Sequence, residues 1–71
     1  MLRLVIMSWS KGRGFNCSLL EVRGPKGEKS GVYEVEFVQA GIKVHSGTYS
    51  SLEAASDVYN QQIEFLSLIA S

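Results

Sequence analysis

The chain has 71 residues, no net charge and one cysteine. That length fits a single domain, residues 1–71, whose small core gives a net stability on the order of 3–5 kcal/mol. One cysteine and one histidine exclude an internal disulfide and a closed zinc site, and the apolar opening MLRLVIMSW is too short for a signal peptide or a membrane span.

Leu2 to Trp9 reads as a first strand, with Leu2, Leu4 and Ile6 on one face and Arg3, Val5 and Met7 on the other. SKGRG, Ser10 to Gly14, is a turn of small and basic residues. Phe15 to Val22 reads as a second strand, in which the pair Leu19-Leu20 leaves the buried face open. RGPKGEKSG, Arg23 to Gly31, holds three glycines and the only proline, and predicts an exposed loop. Val32 to Gln39 has the clearest alternation: Tyr33, Val35 and Phe37 interleave with Glu34, Glu36 and Val38. Ala40-Gly41 predicts a two-residue hairpin into a fourth strand, Ile42 to Tyr49.

A helix follows. Ser50 with Glu53 three positions on matches a capping box. Leu52, Ala55, Tyr59, Ile63, Leu66 and Ile69 recur at spacings of three or four and form one apolar stripe, flanked by Val58 and Phe65. No proline or glycine interrupts Ser51 to Ser71, so a helix of about 18 residues, about 27 Å long, is expected. The fold class is therefore α+β: a three- to four-stranded antiparallel sheet with one long C-terminal helix on one face. Tyr33, Val35 and Phe37 are expected to face the helix, and Glu34 and Glu36 to project from the open side.

The zero net charge hides an asymmetry. Residues 1–33 carry +4 and residues 34–71 carry −4, which hints at an anionic partner for the basic half. Catalytic patterns are sparse. Cys17 with His45 could form a nucleophile and base, but a small buried thiol beside a surface histidine is the simpler reading. Glu34 and Glu36, two apart on a strand, could do acid–base work, but a solvated strand face is the simpler reading. GRG at Gly12 to Gly14 and GPKG at Gly24 to Gly27 are too short for a phosphate loop. The expectation is a protein that is not an enzyme and needs no cofactor or metal. Basic turns with Lys11, Arg13, Arg23, Lys26 and Lys29 could instead straddle phosphates while strand side chains enter a groove.

The stretch VYEVEFVQAGIKVHSGTYSSLEAASDVYN carries a family resemblance. It resembles the Apetala-type (ethylene-response-factor-like) DNA-binding domain, which also occurs in phage proteins, and more loosely the amino-terminal arm-binding domain of phage integrases. Tyr33, Gly41, Ile42, Gly47, Tyr49, Glu53, Ala54, Ala55 and Tyr59 stand at family positions, and the match covers residues 20–60. The resemblance implies a sheet packed on one helix, with the sheet entering the major groove of double-stranded DNA. It places Arg23 at a base-reading arginine, Glu36 at a glutamate on the DNA side, Lys43 at a basic residue of the last strand and His45 at an aromatic one. Leu20 and Val38 stand where the family usually has arginine. Lys11 and Arg13 complete the expected DNA-binding set. The alternative is a small phage-type inhibitor whose Glu34 and Glu36 dock on a basic host-protein surface. Either reading places the protein in the cytoplasm, that of the host cell if phage-encoded, with no membrane partner.

Overall fold

A computed structural model describes residues 2–69. Four strands, β1 (Leu2–Ser10), β2 (Asn16–Arg23), β3 (Lys29–Gln39) and β4 (Ile42–Tyr49), are followed by the helix α1 (Leu52–Ile69). The strands form one antiparallel sheet in the order β1-β2-β3-β4. This is the α+β architecture expected, with one face of the sheet left open.

The centre of the core is Cys17, Leu19, Val35, Ala55, Tyr59 and Leu66, with Trp9, Phe15, Tyr33, Phe37, Tyr49, Val58 and Ile63 packed around it. Register explains the grouping. Cys17 lies opposite Phe37, and Leu19 opposite Val35, so the alternating side chains of β2 and β3 share the helix-bearing face. The helix packs on β2, β3 and β4. Leu19 and Leu20 are both buried, on opposite faces. Leu20 and Val22 sit on the open face, where Arg3 of β1 reaches across β2 to Glu34 of β3 and shields them.

Several expectations need correction. β3 begins at Lys29, so the loop that was expected to reach Gly31 is shortened. β1 is bulged between Val5 and Met7, and a bulge reverses the side-chain alternation. Met7 lies opposite Leu19, and Leu4 opposite Glu21, so Leu2, Leu4 and Met7 share the helix-bearing face. Strict alternation had put Met7 with Arg3 and Val5. The helix cap is Ser51, not Ser50: its Oγ accepts the Ala54 N–H at 3.1 Å. Capping one residue later leaves Leu52 44% exposed, outside the buried stripe. Ser71, the end of the expected helix, lies outside the described residues.

Candidate nucleic-acid interface

Two hairpin turns meet at one end of the sheet. Lys11 N–H donates to Phe15 O at 3.1 Å, and Gly12 and Gly14 between them take positive φ. Ala40 and Gly41 both have positive φ, 54° and 81°, the twisted turn that suits a two-residue hairpin. Gly41 N–H then donates to Gly14 O at 3.2 Å. A Cβ on Gly14 would stand 2.9 Å from that same nitrogen, so the close approach of the turns depends on glycine there. The consequence is that Lys11 and Arg13, on the first turn, share one end of the molecule with Lys43, the second residue of β4.

The open face carries the next group. Glu36 lies directly opposite His45, and Lys43 opposite Val38. Lys43 Nζ is 3.4 Å from Glu36 Oε2. A bulge in β4 between the partners of Val35 and Glu36 turns His45 and Thr48 to the same face, where His45 Nε2 and Thr48 Oγ1 are 3.3 Å apart. Toward the turn end, alternation places Ser8, Ser10, Asn16 and Ser18 on this same face. It is a field of short hydrogen-bonding side chains, with exposed Lys11 and Arg13 at its rim.

Arg23 does not join them. It lies at the opposite end of β2 and, by its register with Leu2, on the helix-bearing side. There Arg23 Nη2 is 3.0 Å from Glu21 Oε1, and Nη1 donates to Gly27 O at 3.0 Å. Its fork holds the loop between β2 and β3 in place. Lys26 and Lys29 also sit at that far end.

The acidic open face changes character in three dimensions. Glu34 is buried and accepts from Arg3 Nε at 2.5 Å. That hydrogen bond, with the carboxylate charge behind it, raises the Arg3 pKa above its ordinary value. With Glu36 facing Lys43, each carboxylate of β3 has a cation beside it. The Arg3–Glu34 pair does not show in the sequence, because the two residues are 31 positions apart.

Cys17 is fully buried on the helix-bearing face, and burial pushes its thiol pKa up to about 11. His45 is on the opposite face, so the two cannot act as nucleophile and base. Among the described residues, no three His, Cys, Asp or Glu side chains group closely enough to hold a metal ion, and no helix is long and apolar enough to cross a membrane. Comparison with family models, curated proteins and solved structures returned no match.

Proposed function

We propose that the chain is a small, non-enzymatic DNA-binding module that approaches duplex DNA with the turn end of its open sheet face. The carrying observation is the contact between the two hairpin turns, Gly41 N–H to Gly14 O, which gathers Lys11, Arg13 and Lys43 at one end. Lys11 and Arg13 make no ion pair among the described residues, and Lys43 is 70% exposed. Such cations suit phosphates on either side of a groove. Between them, Glu36, His45, Asn16 and Ser18 supply donors and acceptors of the kind that read base edges. A carboxylate can accept from cytosine N4, and an asparagine can pair with adenine. Residues 20–60 resemble domains that use a sheet in this way. Arg23 is not part of this surface. The protein-inhibitor reading through Glu34 and Glu36 draws less support, because both carboxylates are matched by cations of the same chain.

An amide-resolved NMR titration with a duplex tests the proposal. Shifts are expected at Lys11 to Phe15, Ala40 to His45 and Asn16 to Ser18, with the Arg23 to Lys29 loop unmoved. Shifts confined to that loop or to the helix would overturn it.

A further inference from the structure

β1 stands apart from the other elements. It is an edge strand of nine residues that reaches the core through Trp9. Leu2, Leu4, Val5, Ile6 and Met7 are all exposed, Val5 at 61%. Leu2, Leu4 and Met7 make the helix-bearing side of the strand apolar, while its open side carries Val5 beside Arg3, Ser8 and Ser10. Free edges of this kind are normally blunted by charge, proline, short length or bulges. β4, the other edge, follows that pattern with Lys43, His45 and its bulge. β1 has a bulge at Ile6 but a single charge, Arg3, which Glu34 draws inward over the sheet.

The backbone is available as well. The Lys11 to Phe15 bond at the turn sets the alternation, so Trp9 and Met7 bond to β2. Ser8 and Ser10 then turn their N–H and C=O groups outward, as do Arg3 and Val5 beyond the bulge.

We propose that β1 pairs antiparallel with β1 of a second copy of this chain, about a two-fold axis, joining two sheets into one. An antiparallel edge is self-complementary under such an axis: the same row of donors and acceptors satisfies itself. The chain has no net charge, and the strip's one cation is engaged internally, so two copies meet without electrostatic opposition. A specific contact of this kind must bury about 1,000 Å² in all, and the five exposed apolar side chains with the edge backbone of both copies are the surface that supplies it. Association is to be measured at micromolar to submillimolar protein. The pairing does not use Lys11, Arg13 or Lys43, and its test is made without DNA, so its failure is distinguishable from failure of the DNA-binding reading.

The test is sedimentation equilibrium without DNA on wild type, Val5→Lys, Ser8→Pro and Ile42→Lys. All three positions are exposed, and Ser8→Pro removes only an outward-facing N–H, which an edge strand tolerates. Circular dichroism checks that each variant folds, and either β1 variant alone suffices. Wild type and Ile42→Lys are expected to reach twice the monomer mass, with Val5→Lys and Ser8→Pro dissociating at least tenfold more readily. A monomeric wild type, including one that binds lipid vesicles instead, overturns the proposal. So does a dimer that Ile42→Lys breaks and the β1 variants do not.

Discussion

Cys17 shows how one side chain reports on the core. It is enclosed among Leu19, Val35 and Tyr59, and burial also raises the Tyr59 pKa, with Cys17 a lesser cause. A thiol whose pKa rises from 9.0 to about 11 on folding stabilises the folded state fully below pH 9. That contribution is lost as pH rises toward 11, because the unfolded chain ionises first. Stability is therefore expected to fall between pH 9 and 11, and to fall less in Cys17→Ala, as thermal melts at several pH values would reveal. At neutral pH a thiol reagent should label native Cys17 far more slowly than a free peptide; labelling at the peptide rate would place the thiol at the surface. Leu66, fully buried, makes the complementary point. Leu66→Ala should cost about 2–5 kcal/mol, comparable with the whole stability of so small a fold. Leu52→Ala should cost less than about 1 kcal/mol, because that side chain is already half in water. Melting temperatures of the two variants check this, and equal losses would contradict the observed stripe.

At the scale of elements, what could be read in advance was whatever repeats with a fixed period. β4 occupies the expected residues Ile42 to Tyr49, and Tyr33, Val35 and Phe37 do face the helix, because uninterrupted alternation leaves only two choices of face. Bulges interrupt that period. One extra residue in β1, and another in β4 near Ser46, shifts every side chain beyond it, and no residue type announces it. The cap slipped by one position for a related reason: Ser50 and Ser51 offer the same chemistry, and packing of Ala55, Tyr59 and Leu66 selects between them. The candidate site was legible in part. Glu36, Lys43 and His45 are sequence neighbours across one hairpin and do share a face, whereas Arg23 lies beyond the period of that hairpin and falls on the other side. Gly47 illustrates a signal with a simple physical basis. A Cβ there would stand 2.5 Å from the Tyr49 hydroxyl, so glycine makes room for the ring two residues on. Gly14 is the residue on which the turn-to-turn contact depends. Gly14→Ala combines a φ of 81° with a close approach to Gly41, and should cost roughly 1–3 kcal/mol. If the gathered turns form the DNA contact, that variant should also bind duplex more weakly than its loss of stability explains. Binding measured well below its melting temperature separates the two effects.

For the whole molecule, the charge asymmetry of the sequence becomes a spatial one of a different kind. The basic half does not form a basic half of the surface. Arg3 is spent on Glu34 and Arg23 on Glu21, while Lys26 and Lys29 go to the far end with Arg23. What remains of it is Lys11 and Arg13, which form a cluster around the joined turns with Lys43 of the acidic half, itself 3.4 Å from Glu36. The proposed function requires that this cluster, and not overall charge, bind DNA. It is tested most directly by duplex affinity between about 50 and 200 mM salt for wild type, for Lys11, Arg13 and Lys43 together changed to glutamine, and for Lys26 and Lys29 together changed to glutamine. Wild type is expected to bind in a salt-dependent way, with a log–log slope smaller by about three in the turn-end variant and unchanged when only the far-end lysines are replaced. Absence of wild-type binding at the lower salt, or equal losses in the two variants, would contradict it.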